Sequence, residues 1–303
     1  LAISKGLLLI VALLAAYVTS LKPGNILFLV GAAFSLAAAG FFPSLVLWST
    51  LNIREAPTIF LVVSVVYFLV RVQKAPDLTG LSGAAVSVAL LSLFREYLMV
   101  LVGVSGGLGV LMGKSRSPLR SILVGSALLI VLSMGVQYLG LGQSLAEEPS
   151  LEAVQLIRAD FQRGAGSAYG QGADVSSVSG AVTYLPLGLA YFLLAPFPWA
   201  VASALQTVAL PETLLWWAVV PFGLWGAWLS FRHDARGHTV PITILLVVTF
   251  AYALVEANVG TAFRHRGQVL PIMLVYVAIG IRDVWAIQRA RRRTRERGRS
   301  RAT

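Results

Sequence analysis

The chain is built from a series of apolar runs, each about the length needed to cross a lipid bilayer. That constrains its fold more than any other feature. Nine such segments are read at roughly 6–20, 25–42, 57–72, 79–94, 97–113, 120–139, 214–231, 240–258 and 267–287. Short connections rich in Pro, Gly and Ser, such as "LKPGN", "QKAPDLTG" and "GKSRSPLR", break the runs cleanly. Of the 303 residues, 57% are hydrophobic and 12% are charged. A soluble domain has about 25% charged residues, so a soluble all-α core is excluded for want of polar surface. The expected fold is all-α, a polytopic helical membrane protein with about nine transmembrane helices. Residues 1–288 form the helical transmembrane domain, with 140–213 an outer-face loop and interfacial-helix region, and 289–303 a basic tail. Because the chain starts at Leu1 inside an apolar segment, an N-terminal truncation is expected.

Charge sets the expected orientation. Eight arginines lie in the last fifteen residues, from Arg289 to Arg301. After a membrane span, such a tail reads as a cytoplasmic anchor on anionic headgroups, not a nucleic-acid arm. Counting back through the spans puts "RHDARGH" (232–238), Lys114, Arg116, Arg120, Arg71, Lys74 and Lys22 on the same side. The expectation is a multi-pass protein of the cytoplasmic (inner) membrane with a cytoplasmic C-terminus.

That orientation leaves a group of arginines on the outer face, against the usual bias. Arg54 follows from "PSLVLWSTLNIREAP" (43–57), Arg95 from "FREY" (94–97), and Arg264 and Arg266 from "ANVGTAFRHRGQ" (257–268), while the stretch 140–213 adds Arg158 and Arg163. Arginine keeps its charge and offers a two-pronged donor to phosphate. Two readings follow: these side chains snorkel to lipid headgroups, or they bind the phosphate of a lipid-linked substrate. On an extended approach to the last span, Arg264 and Arg266 would point the same way. His265 between two cations is expected to be neutral. Asn258 and Gly260 mark a turn, and Glu256 is read as an internal partner for one arginine or as a base. Glu55 beside Arg54 and Glu96 beside Arg95 are the candidate catalytic carboxylates. Neighbours on a helix diverge by about 100°, so neither is expected to pair with its adjacent arginine.

The outer stretch has three expected parts. "QSLAEEPSLEAVQLIRADFQRG" reads as a short amphipathic helix with Leu151, Val154 and Ile157 on one side. The Gly- and Ser-rich "GAGSAYGQGADVSSVSG" is a loop, either a linker or a mobile acceptor-binding lid. "YLPLGLAYFLLAPFPWA" has nine residues between Pro186 and Pro196, too few to span, and is expected to lie in the interface or re-enter it. The chain has no cysteine, so no disulfide and no thiolate metal site is expected, and its three histidines are too scattered to suggest zinc; no cofactor is expected, and a divalent metal is left open.

"FFPSLVLWSTLNIREAPTIFL", a "P…W(S/T)…REAP" loop ahead of a span, resembles bacterial membrane glycosyltransferases of the GT-C type. "GSAYGQGADVSSVSGAVTYLPLGLAYFLLAPFPW" and "NVGTAFRHRGQVLP" look like segments of polysaccharide-cluster membrane proteins related to that group. The resemblance covers roughly residues 40–280. It implies an enzyme that takes a polyprenyl-phosphate-linked sugar on the outer face, with that lipid-linked sugar and membrane lipids as partners and no nucleic acid. In that group an acidic residue of the first outer loop acts as base. No position here matches it, so none is carried over. The other readings are an O-antigen-type polymerase or ligase, a transporter or flippase, and a non-catalytic scaffold. Ionisable residues gathered at one rim, with few inside the spans, count against ion-coupled transport.

Overall fold

The computed structural model describes residues 54–75, 77–113 and 150–300, with scattered positions between 119 and 126. The expected spans 6–20 and 25–42, nearly all of 120–139, most of the loop 43–57, and the tail side chains from 290 onwards lie outside the described residues. So do Lys22, Lys114, Arg116 and Arg120.

Among the described residues the protein is all-α. Its elements are α1 (Glu55–Lys74), α2 (Leu78–Ser92), α3 (Glu96–Met112), α4 (Leu151–Gln162), α5 (Val178–Leu194), α6 (Ala204–Asp234), α7 (Thr239–Val255), α8 (Val259–Arg266) and α9 (Leu270–Ser300). A 3-10 turn, Ala235–His238, joins α6 to α7. Glu55–Lys74, Gln206–Val255 and Leu270–Arg289 are long and apolar enough to cross a membrane, and the 50-residue middle stretch contains both α6 and α7. Helices α2, α3 and α5 are shorter apolar helices of 15, 17 and 17 residues. This is the pattern of a multi-pass membrane protein.

Polar side chains start several of these helices by taking an otherwise orphaned amide. Asp77 accepts from Gly80 at 3.0 Å, Ser150 from Ala153 at 3.2 Å, Ser177 from Gly180 at 3.2 Å and Asn258 from Gly260 at 2.8 Å. Helix α1 is central: Ile59, Val62, Val63, Val65, Val66, Leu69 and Val70 are buried on almost every side of it. It packs on α2 and α3, and α3 packs on α7. Small and hydroxyl residues make the α3–α7 contact. Gly109 meets Val240, the Thr239 hydroxyl donates to the Gly109 carbonyl at 2.6 Å, and the Thr243 hydroxyl to that of Ser105 at 2.9 Å.

The α6–α9 contact is closer still. A Cβ on Gly280 would lie 1.9 Å from the Phe222 carbonyl oxygen, and one on Gly226 would lie 1.9 Å from that of Tyr276. Both neighbours are helix backbone, so the helices must separate to admit a methyl. Gly280→Ala is therefore expected to lower the melting temperature in detergent sharply. Gly166→Ala, where nothing lies within 4 Å, should leave it unchanged. Equal melting temperatures for both variants would contradict the close crossing.

The bundle has two chemically different ends. At one, the Gln73 amide donates to the Arg236 carbonyl, which brings Arg71 and Lys74 to the same end as the 232–238 connection. Here Arg71 pairs with Asp77. The opposite end holds the N-terminus of α1, the α2–α3 turn, α8 and the start of α9.

The outer stretch departs from expectation in two respects: α6 begins at Ala204, inside the expected outer region 140–213 and ahead of the expected span 214–231, and the proline-flanked segment is longer than expected. Residues 184–200 are not a short helix bounded by prolines: α5 begins at Val178 and runs through Pro186. A mid-helix proline removes one amide from the ladder. The break comes instead at Ala195, before Pro196, where the backbone turns extended. Helix α4 forms as expected, with Leu151 and Val154 against the core, although Ile157 is 36% exposed.

Candidate anion-binding site

The charged end is organised around Glu55. It is the first residue of α1, where the helix dipole favours a carboxylate, and it is wholly buried. Arg95, from the turn between α2 and α3, donates to Glu55 Oε1 at 2.6 Å. Arg264, from α8, brings its Nε to 2.9 Å from the same oxygen, an ion contact too bent to be a hydrogen bond. Gln268 Nε2 reaches Glu55 Oε2 at 3.4 Å. Its other end accepts from the Tyr252 hydroxyl, which lies 3.2 Å from that of Tyr97, and Tyr97 in turn accepts from Arg95 at 2.9 Å. One buried carboxylate thus ties together α1, the α2–α3 turn, α7 and α8.

Both oxygens of Glu55 face donors, so it holds two guanidinium groups in place. Arg264 is the more open of the two, with 32% of its side chain exposed against 16% for Arg95. Among the described residues, no hydrogen bond occupies the terminal nitrogens of Arg264. The other candidate carboxylate, Glu96, is exposed at the start of α3, and Arg54 is exposed just ahead of Glu55.

Arg266 corrects the expectation of a paired clamp. Residues 259–266 are helical, not extended, so Arg264 and Arg266 diverge. Arg266 is 1% exposed. It donates to the carbonyls of Leu193 and Ala195 at 2.9 and 3.0 Å, with Glu212 at 3.9 Å and the Phe263 ring 4.7 Å beneath it. It is therefore a cap on the C-terminal end of α5. Arg158 does the same for α7. Also buried, it donates to the carbonyls of Leu254 and Glu256 at 3.1 and 3.2 Å and to that of Gly170 at 3.3 Å, with its guanidinium 3.9 Å from the centre of the Tyr184 ring. Cations at helix C-termini satisfy orphaned carbonyls and complement the dipole. Both arginines are held by backbone carbonyls.

Glu256 pairs with His265, not with an arginine. The Thr261 hydroxyl donates to its other oxygen at 2.5 Å. Asn258 starts α8 and accepts from the Ser167 hydroxyl at 2.8 Å. Beside it an isolated bridge joins Ala168 to Asn258, with the Tyr169 amide donating to the Ala257 carbonyl at 2.9 Å. The Gly-rich stretch is thus pinned to the site between Ser167 and Gly170. Gly170 has φ +63°, and a Cβ there would sit 2.7 Å from the Tyr184 ring and 3.1 Å from Arg158. Further along, the hydroxyl and amide of Ser176 hold the Asp174 carboxyl below the usual carboxylate range.

The residues brought together are therefore Glu55, Arg95 and Arg264 in one group and Glu256 and His265 in another. Arg54 and Glu96 lie at the rim, and Arg266 and Asn258 serve structure. Gln268, Tyr97, Tyr252, Thr261 and Glu212 were not foreseen. For Glu212 the signal was an acidic residue inside the apolar stretch "TVALPETLLWW". Among the described residues no group of His, Cys, Asp or Glu is placed to hold a metal ion.

No family model matches the chain. No solved structure matches it. A 44-residue stretch is 77% identical to an uncharacterized symporter of Cupriavidus necator, a match that covers 14% of this chain and 6% of that protein.

Proposed function

We propose that the protein is a membrane glycosyltransferase that takes its sugar from a polyprenyl-phosphate-linked donor at the outer face of the cytoplasmic membrane, in surface polysaccharide or glycoconjugate synthesis. The observation that carries the reading is the Arg95–Glu55–Arg264 group at one rim of the bundle. Two guanidinium groups share one buried carboxylate, which leaves a net positive charge, and Arg264 keeps donors free for an anion. At this end Arg54, Arg95 and Arg264 outnumber Glu55 and Glu96, so the excess there is a single positive charge. Below it, Arg158 and Arg266 are balanced by Glu212 and Glu256. A phosphate bound at Arg264 would meet a fixed donor, which stabilises charge developing on a leaving phosphate without reorganisation.

Orientation supports the same reading. Arg71, Lys74, Arg232 and Arg236 lie at the end opposite Glu55, and the positive-inside rule assigns that end to the cytoplasm. The charged site then faces outward, about nine spans thread the membrane, and the basic tail after Arg289 lies inside.

The test is sugar transfer in membrane vesicles. Arg264→Ala is expected to reduce transfer from a polyprenyl-phosphate sugar by about a hundredfold or more, the scale of losing one preorganised donor, with insertion and melting temperature unchanged. Transfer at the wild-type rate in that variant would sink the anion site. The short match to a symporter supports a second reading, ion-coupled transport using the buried carboxylates Glu55, Glu212 and Glu256. Proton-driven solute uptake by reconstituted vesicles, with no sugar transfer, would decide for it.

A further inference from the structure

The anion site makes no use of Glu256 and His265. Glu256 follows the last turn of α7 and is wholly buried, and His265 on α8 is 1% exposed. One carboxylate oxygen of Glu256 contacts His265 Nδ1, and the other accepts the Thr261 hydroxyl. The imidazole lies against the Tyr252 ring, with centroids 5.0 Å apart and planes 24° apart. A ring held on its face by Tyr252 and at Nδ1 by a carboxylate has a fixed orientation and a favoured tautomer. That tautomer carries its proton on Nδ1 and leaves the Nε2 lone pair over. Nε2 is buried and has no hydrogen-bond partner. A buried acceptor in that condition is costly unless something fills the gap. An imidazole held in this orientation presents Nε2 as a proton acceptor.

We propose that His265 is the proton acceptor of the transfer reaction, with Glu256 as its positioning residue. This rests on the reading of the protein as a glycosyltransferase. The acceptor hydroxyl gives its proton to Nε2. The electron pair left on oxygen forms the bond to the anomeric carbon. The bond from that carbon to the phosphate oxygen breaks, and its pair leaves on the lipid phosphate, whose charge is met by Arg264 one residue away on α8. The imidazolium that forms lies against the Glu256 carboxylate and later passes its proton to water. The charged and titratable groups around the ring are Glu256 and Tyr252 from α7, Arg264 and Arg266 on its own helix, and Arg158, which donates to the Glu256 carbonyl. Arg95, Glu55 and Tyr97 connect to it through Tyr252 and Gln268.

The experiment uses membrane vesicles containing the full chain, supplied with a panel of radiolabelled farnesyl-phosphate hexoses, and follows label entering glycan. His265→Gln should lower turnover by about a hundredfold, the usual scale for removing a positioned base, with the half-saturating donor concentration unchanged. Glu256→Gln should lower turnover and redistribute the ring proton of His265 between Nδ1 and Nε2 in the nitrogen spectrum, and Thr261→Val should do both to a smaller degree. A wild-type rate in His265→Gln overturns this proposal alone. Absence of transfer by wild type from every hexose overturns the glycosyltransferase reading and this one with it. A folding-independent check is the nitrogen spectrum of histidine-labelled protein in detergent, with His233 and His238 replaced. An unprotonated Nε2 is expected for His265, and a proton on Nε2 would overturn the assignment even if the variants fail to fold.

Discussion

Replacing Glu55 by alanine will cost the protein its stable bundle, and the loss will show as aggregation on size exclusion and a melting temperature well below wild type. The reason is the asymmetry of buried ion pairs. Forming one contributes little, but removing one partner strands the other charge, at a cost of about 3–5 kcal/mol. Here a single carboxylate with 1% of its side chain exposed serves both Arg95 and Arg264. Without it, the two guanidinium groups face each other across the space it filled, and Gln268 loses its contact on that side. Arg264 is one-third open to solvent and will turn outward, so Arg95 bears most of the penalty. The matching rescue follows: Arg95→Met added to Glu55→Ala should recover part of the lost stability, because it removes the stranded charge and restores apolar volume. If Glu55→Ala melts like wild type, the carboxylate is not the junction described.

Arg266→Ala is the second large effect, and it should differ in kind from Arg264→Ala. Arg266 donates to two buried carbonyls at the end of α5; truncation strips that of Ala195 of its donor, while that of Leu193 keeps the Trp216 indole N–H at 2.8 Å, and it opens a void beside Phe263 and Trp216. An unsatisfied buried polar group costs about 1–3 kcal/mol, so the orphaned Ala195 carbonyl and the void together make the variant strongly destabilised. Arg266→Lys should fall between, since an ammonium has one point of contact where the guanidinium has a fork. The expected order of melting temperatures is wild type and Arg264→Ala together, then Arg266→Lys, then Arg266→Ala. Transfer activity should separate the first two. An Arg266→Ala protein that melts like wild type but has lost transfer would mean that Arg266 meets ligand after all.

Much of the fold was legible because bilayer spans announce themselves by length and composition. Helices α1, α2, α3, α6, α7 and α9 fall on expected runs, and Ser150 and Asn258 start their helices where polar caps stand in the chain. Helix α5 was misjudged because proline was weighed as a terminator. Eight residues of helix precede Pro186, and the amide it lacks is only one rung of the ladder. The convergence of Arg95 and Arg264 on one end followed from counting spans. Their common partner did not: Glu55 and Arg264 are brought together only by the packing of α8 over the start of α1, which no local pattern encodes. Arg266 was misread for a related reason. In sequence it is the twin of Arg264, and only the helical turn between them sends one towards the open rim and the other into the protein.

Arg158 and Arg266 share a property that reaches beyond stability. Each holds its distant partner by main-chain oxygens, Arg158 at Leu254 and Arg266 at Leu193, 96 and 73 residues away. A carbonyl is the same whatever side chain it carries. These bonds, among several that tie the outer stretch to the bundle, therefore place no demand on the side chains of Leu193, Ala195 and Leu254, whereas Tyr184 and Glu212 meet the guanidinium groups with their own side chains. As far as the carbonyl bonds go, the residues that supply them are free to vary. The chain can diversify the exposed parts of its outer region while its attachment points stay in place.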